Sequence, residues 1–587
     1  MHSLIKEYTD KIAGRKAYWI PLLFYTFGAY GFSMLNRTLG ADDLGTPLYV
    51  NDTVWLQDLR WGAVLWKKLF SFGSFVPFLD KFLSICFLML AGTAFSCLLY
   101  LLNGKRERVL LYTIASCSFL TFPIICEIWE FTCGGTLIVP GDFFCIFMIL
   151  VWLLCRITAS EASSNPQNAA SAASSPARPQ ALSAGRRHPR QSSSAAAILP
   201  QQAAVLLAAG VLMTPVISSA ESIAPVYVTT VLIILFYRYC IQRTYPERKS
   251  AWFFEGVRFA IPLVTAFALR LIIAYSILAV LGLERKHTGA TRIEWFGMNA
   301  EKFAALIKGM FINYGVASLI NFPITVFVIC AVLFALRCIL LTIRRRSALP
   351  VFLGICIGLS LFLITLIQGS VMLYRTAITL MVFCAFVFYL FAETFYAWIN
   401  AGIINRKTLP VLAGRCGLVF LIFITWRQAA HLHRFLALNN LRYDNETAVM
   451  QEICYTLSTD YDTSKPLIFV GNFSNGDAMY YSTHDSGKTR AGAMYRKIRH
   501  KIDGTPVWKS PLLVQSTVSS AIDFYHEEFD GRLMGEYIAY YGYDFNVPAL
   551  SRDEHIPYNE EAAGLGMKPF NIADRGDYIL ICIGSLD

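Results

Sequence analysis

Two adjacent carboxylates, Asp42 and Asp43, follow closely on an apolar stretch that runs from Ala17 to Asn36. If buried, such a pair carries a cost in desolvation and mutual repulsion. A substrate hydroxyl awaiting deprotonation, or a cation, would offset that cost; in water the pair is an ordinary solvated loop. Further along come Arg60-Trp61-Gly62, then Lys67 and Lys68. An arginine can fork a phosphate. A tryptophan can stack on a sugar or sit in the interfacial belt of a membrane. A second loop, CEIWEFTCGGTLIVPGD, sets Glu127 and Glu130 on either side of Trp129 and ends on Asp142, just inside the next apolar run. An acid there is a functional candidate, whereas Glu127 and Glu130 fit a wet loop equally well. Arg270 sits midway through VRFAIPLVTAFALRLIIAYSIL. An unpaired arginine in such a place costs about 2.5 to more than 10 kcal/mol, so it is expected in a structural pair or against a lipid phosphate. Arg375, in SVMLYRT, either clamps a phosphate or snorkels to the membrane face. No C-x-x-C pair occurs among the 15 cysteines, and no residue set reads as a metal site. No cofactor is required by the sequence, and assistance by a divalent cation is left open.

These residues must be positioned by the elements around them, and those elements are apolar. Of the 587 residues 55% are hydrophobic, and the mean hydropathy is +0.48. The surplus is clustered in runs such as FLSICFLMLAGTAFSCLLYLL, long enough to cross a hydrocarbon core of about 30 Å as a helix. Spans are expected near 17–36, 82–102, 109–125, 137–155, 201–219, 222–238, 257–282, 318–341, 349–368, 377–399 and 409–426. The first is too long for a signal-peptide core and is read as retained. A net charge of +11 invites a nucleic-acid reading. The basic residues, however, fall in short loops between spans, on alternate connections: Lys6 to Lys16, Lys105 to Arg108, Arg243 to Lys249, Arg344 to Arg346, and Arg406 with Lys407. That is the positive-inside pattern, and it argues against nucleic acid. It sets the N-terminus in the cytoplasm and, with an odd number of spans, the C-terminal part outside.

The fold class expected is therefore a polytopic all-α membrane protein of about eleven spans with a C-terminal extracytoplasmic α/β domain. Residues 1–156 form an N-terminal transmembrane module with long outer loops at 37–81 and 126–136. Residues 157–200 form a cytoplasmic Ala/Ser/Pro/Gln linker, too poor in apolar side chains to offset its ordering entropy. Residues 201–427 form a second transmembrane module, and 428–587 a soluble domain. Val54 to Phe70 and residues 298–314 have the pattern of helices lying on the membrane surface. In the C-terminal part, 429–458 and 521–541 read as helical, and PLIFVG and YILICIG as buried strands. Either Cys126 with Cys133, or Cys454 with Cys582, could form a disulfide on an oxidising side.

The chain resembles the Gtr-type (O-antigen conversion) glucosyltransferases and their Gram-positive relatives. The resemblance rests on the first span leading into Asp42-Asp43, on Arg60-Trp61-Gly62, on the P-x-x-x-E-x-W element of Pro123, Glu127 and Trp129, and on YYGYDFNVP and DYILICIG near the end. The linker departs from that pattern. The resemblance implies a GT-C-like glycosyltransferase in the cell membrane. It would take a sugar from a polyprenyl-phosphate donor on the outer face and pass it, with inversion, to a lipid-linked or surface glycan. Asp42 or Asp43 would be general base; Arg60, Trp61, Lys67, Glu127, Trp129, Arg270 and Arg375 would line the substrate site. Rival readings are a polymerase, flippase or transporter of lipid-linked glycans, or a glycan-binding receptor; no internal symmetry of the transporter kind is visible. The linker's composition makes one expectation concrete. Deleting Ser163 to Ser194 should leave expression, folding and transfer activity nearly intact, and a large loss of any of these would assign the tract a docking or regulatory role.

Overall fold

The computed structural model describes residues 1–36, 52–71, 76–129, 135–164, 195–220, 222–242, 251–285, 294–319, 322–371, 376–470, 490–503, 532–548, 550, 552–562, 565 and 570–583. All the apolar segments expected to span fall on helices: Lys16–Leu35, Pro77–Leu102, Val109–Thr121, Gly135–Ser164, Ala195–Ile217, Ile223–Leu235, Ala251–Leu281, Phe322–Arg345, the Leu349–Ser360 and Leu363–Gln368 pair, Thr379–Ile404 and Thr408–Asp460. Among the described residues, seven helices are long and apolar enough to cross a membrane by length and composition. Shorter apolar helices cover Val109–Ile125, Gln202–Ile217 and Leu349–Ser360. The low-complexity tract from 165 to 194 lies outside the described residues.

Packing follows from how much of each helix the others cover. Ile223–Leu235 and Gly135–Ser164 are buried nearly all round. Ala251–Leu281 instead buries one row, Glu255, Phe259, Pro262, Ala266, Arg270, Ala274 and Leu278, and leaves Val264, Leu271, Ile272 and Val280 exposed. That row recurs every three or four residues, the period of one helix face. Its apolar opposite face is what a helix at the lipid boundary presents. Arg270 belongs to the covered row, so it points into the bundle.

Among the described residues, the basic segments at the N-terminus, at 105–108 and at 344–346 lie at one end of the bundle, and 243–249 lies outside the described residues. Lys105 pairs with Glu7 at 2.7 Å, and Lys11 and Arg15 approach Glu107 at 3.4 Å each. The Lys105 ammonium holds the Glu7 carboxyl below its ordinary range. Arg108 lies 3.9 Å from Glu393 and stacks over the Tyr396 ring, while Arg345 donates to the Tyr239 carbonyl at 2.9 Å. Deeper in, Arg238 and Glu255 form a buried ion pair, and the Tyr239 hydroxyl donates to the same carboxylate at 2.6 Å.

The helix Thr408–Asp460 runs 53 residues without a break, roughly 80 Å at about 1.5 Å per residue. It passes straight through the boundary drawn at 427 and 428. Its far end packs Met450, Ile453, Cys454 and Leu457 against a small sheet. In that sheet β1 (Leu467–Val470) pairs in parallel with β3 (Ile579–Ile583), and β2 (Phe570–Asp574) pairs antiparallel to β3. β1 and β3 are the two expected strands. β2, FNIAD, has neither a buried run nor a clean alternation and was not legible. Lys465 reaches Asp574 at 2.7 Å and depresses its carboxyl pKa. The expected Cys454–Cys582 disulfide is not formed. Both thiols are free, because Cys454 packs with one face of the sheet and Cys582 with the other. Cys133 lies outside the described residues.

The Arg238–Glu255 pair gives a test of bundle packing. Arg238→Met deprives a buried carboxylate of its cation and should destabilise by about 3–5 kcal/mol. Arg238→Met with Glu255→Leu should recover most of that loss. Thermal unfolding of the detergent-solubilised protein reads both; equal melting for all three proteins would show the pair to be inert.

Candidate functional site

The first long helix ends at Asn36, whose backbone carbonyl accepts from Lys81 Nζ at 3.1 Å. Lys81 is 1% exposed and its neighbour Asp80 2%. Both stand at the start of Pro77–Leu102, and Asp80 accepts a hydrogen bond from the Ser71 hydroxyl. Ser84, one turn on, lies 2.5 Å from the Asp80 carbonyl and 2.6 Å from that of Thr136, at the start of Gly135–Ser164. Three helix ends are thus tied together where the chain leaves the first long helix. Asp42 and Asp43 follow that exit and lie outside the described residues. Asp80 and Lys81 were missed by the sequence reading, which began this span at residue 82. The signal was two adjacent charges opening a long uncharged run.

The stretch expected as one surface helix is two, Asp52–Gln57 and Trp61–Phe70, broken at Leu59, whose φ of 61° is left-handed. The second helix does not lie free on a surface. A Cβ on Gly62 would stand 2.0 Å from the Pro215 carbonyl and 2.8 Å from the Ser219 amide, so only glycine lets this helix seat on the end of Ala195–Ile217. One turn later the Trp66 indole donates to Asp142 Oδ1 at 2.9 Å, and Ser219 donates to Asp142 Oδ2. The Trp66 ring covers Gly141 so closely that a Cβ there would meet it at 2.7 Å. Asp142 is fully buried, and its two hydrogen bonds hold one loop helix to two long helices.

This seat fixes the neighbouring site candidates. Trp61 donates to the Arg270 backbone carbonyl at 3.4 Å, and Leu59 packs on Ala274 and Leu278. Arg60 caps the helix and is half-buried; its Nε has no hydrogen-bond partner among the described residues. Lys67, expected on a polar face, is buried, its ammonium 5.6 Å from the Trp55 ring centre. Lys68 pairs with Asp52 at 3.2 Å.

Trp129 occupies the interior, 1% exposed. Its indole donates to Ser33 Oγ at 2.9 Å, and its ring lies 4.4 Å from that of Tyr30. Tyr30 in turn donates to the Leu120 carbonyl at 2.6 Å. Pro123 opens a 3-10 turn that leads into the short helix Cys126–Trp129. Glu127 is carried by that helix, and its side chain lies outside the described residues, as does Arg375. The structure therefore sets Trp61 against the Arg270 backbone, carries Arg60 and Lys67 at the cap and on the body of the same short helix, and holds Trp129 near the end of the first long helix. The segment 61–71 and the start of Gly135–Ser164 connect the two. No group of three or more His, Cys, Asp or Glu side chains among the described residues is arranged to hold a metal ion.

The seat is testable directly. Gly62→Ala forces the loop helix off Pro215 and should cost about 1–3 kcal/mol. It should also speed proteolytic cleavage between residues 37 and 76. Unchanged cleavage would show that the loop helix is held elsewhere.

Residues 31–170 match the family model described as Glucosyl transferase GtrII. No curated protein and no solved structure matches the chain. The matched segment takes in Asp42, Asp43, Arg60, Trp61, Lys67, Glu127 and Trp129, together with Asp80, Lys81 and Asp142. It carries both the exit of the first long helix and the seat of the loop helix, and over those residues the chain is similar to the GtrII glucosyl transferases.

Proposed function

We propose that the protein transfers a sugar, glucosyl by its family, from a polyprenyl-phosphate donor to a lipid-linked or surface glycan at the outer face of the cell membrane. The acceptor hydroxyl oxygen attacks the anomeric carbon. The bond from that carbon to the phosphate oxygen breaks, and its electron pair leaves with the phosphate. The hydroxyl proton passes to the carboxylate of Asp42 or Asp43, and the anomeric configuration inverts. The other carboxyl group donates a hydrogen bond or helps bind a cation. Arg60 is the leading candidate for the donor phosphate, with Arg375 and Arg270 as further cations. Trp61 stands beside it, and Lys67 and Trp129 act from the interior.

The observation that carries this reading is the convergence at Asn36. In the sequence Asp42 and Asp43 follow six and seven residues after Asn36, whose carbonyl is held by a buried lysine where three helix ends are tied. A lipid-carried phosphate must stay near the membrane surface while its tail remains in hydrocarbon, so a base just beyond a span is at the right depth. The half-buried Arg60, whose Nε has no partner among the described residues, adds a cation on the same loop. The proposed topology has eleven spans, an N-terminus in the cytoplasm and the α/β part outside. The meeting of three described basic segments, the N-terminus, 105–108 and 344–346, at one end of the bundle supports it.

Asp→Asn keeps the shape of the side chain and removes its basicity. At the true base it should lower glycosyl transfer from a polyprenyl-phosphate-glucose donor by about 10²–10⁴-fold, with the melting temperature and donor binding retained. Near-normal turnover in both Asp42→Asn and Asp43→Asn would move the base elsewhere, with Glu127 next to be tested.

A further inference from the structure

Helix Arg490–Asp503, RAGAMYRKIRHKID, is strongly basic and is not accounted for by the transfer reaction. It is seated by two residues. Ile498 and Ile502 pack on Val316 and Ala317, both buried, just before the long apolar helix Phe322–Arg345 begins. The arc of the helix beside that contact exposes Arg490, Met494, Lys497, His500 and Lys501. At about 100° per residue these positions cluster on one side, so the exposed cations among the described side chains share a face with Met494.

The neighbouring segment has the character of an interfacial anchor. Helix Ala300–Met310 is capped by Asn299, which accepts from the Lys302 amide at 2.8 Å. It leads into a turn carrying Phe311, and Phe303, Ile307 and Phe311 are 47%, 50% and 59% exposed. Their four-residue spacing makes one apolar row. Glu301, Lys302 and Lys308 are exposed on the same helix. Trp295, also partly exposed, is pinned by its indole to the Leu366 carbonyl at 2.7 Å. An amphipathic helix with bare aromatics and flanking lysines, beside a tryptophan and the mouth of a span, fits the boundary between headgroups and acyl chains.

We propose that helix Arg490–Asp503 is an anionic-lipid clamp. The row Phe303, Ile307 and Phe311 enters the bilayer interface, and the face of Arg490, Lys497 and Lys501 holds the phosphates of anionic phospholipid headgroups. The clamp ties the part of the chain after Asp460 to the membrane surface at a second place, independent of the long helix. Charge complementarity identifies the occupant: the exposed face carries cations and one thioether, and cations near an anionic surface are attracted to it. The proposal does not rest on the transfer chemistry.

The test uses the full chain in nanodiscs of phosphatidylcholine with or without phosphatidylglycerol. A photo-crosslinking amino acid replaces Met494, and both lipids carry a radiolabel. Crosslinking to phosphatidylglycerol should exceed that to phosphatidylcholine by about fivefold or more per mole of lipid. Lys497→Gln with Lys501→Gln should erase most of the preference while leaving the melting temperature and the transfer rate in detergent unchanged. Equal labelling of the two lipids, labelling of neither, or labelling of a glycan or a second polypeptide instead would each overturn the clamp. Loss of transfer in detergent would bear on the reaction and not on the lipid contact, so the two failures are separable.

Discussion

A polar group inside a hydrocarbon layer has no water to turn to, so it must find its partners within the chain. Asp142 shows what that requirement does to the architecture. It is fully buried near the start of a long helix, and its two oxygens accept from Trp66 and Ser219. Those donors belong to a loop helix and to the end of a different long helix. Satisfying one carboxylate therefore fixes the relation of three elements. The close approach at Gly62 and Gly141 follows, because the hydrogen bonds form only if the loop helix lies flush. Arg60 and Trp61, at the head of that helix, inherit their positions from it.

The two ends of the bundle solve the same problem with different chemistry. At the end holding the basic connections the partners are charges: Glu7 with Lys105, Glu393 with Arg108, Glu255 with Arg238. Several of these are near water and contribute little each. Their value is in gathering helix ends that are distant in sequence. At the other end the ties are hydrogen bonds from hydroxyls, indoles and an ammonium to carbonyls, carboxylates and a hydroxyl. Half-exposed Arg60 stands at that end, on the loop that also carries the two adjacent acids. A reaction that breaks a sugar–phosphate bond needs fixed donors around a charge that develops late, and a rim of interlocked helix ends supplies fixed geometry.

The 53-residue helix joins the bundle to the small sheet without a flexible connection. Its first half is mostly lipid-facing, with Leu409, Leu412, Val419 and Phe420 exposed. Its last turns bury Met450, Ile453 and Leu457 under the strands. The same backbone geometry serves both environments, since a helix satisfies its own amides whether lipid or protein surrounds it. That is why a boundary drawn from the change in hydropathy near residue 427 does not appear as a break in the chain.

The sequence by itself determined the helices, because hydrocarbon thickness converts directly into run length and every expected span falls on a helix. It also determined the two buried strands and the likeness of residues 31–170 to the GtrII glucosyl transferases, whose motifs are local in the chain. It pointed to Arg60, Trp61, Trp129, Arg270 and Asp142 by residue type alone. It did not reveal that Lys67 is buried, that Trp129 is an interior tie, or that Asp80 and Lys81 hold the exit of the first long helix. Nor did it reveal that Cys454 and Cys582 lie on opposite faces of one sheet. Each of those facts depends on which side of a helix or strand meets a neighbour far away in sequence. Hydropathy measures how much of a segment is apolar; only the tertiary structure decides which atoms it faces, because the partners that satisfy a buried polar group come from elsewhere in the chain.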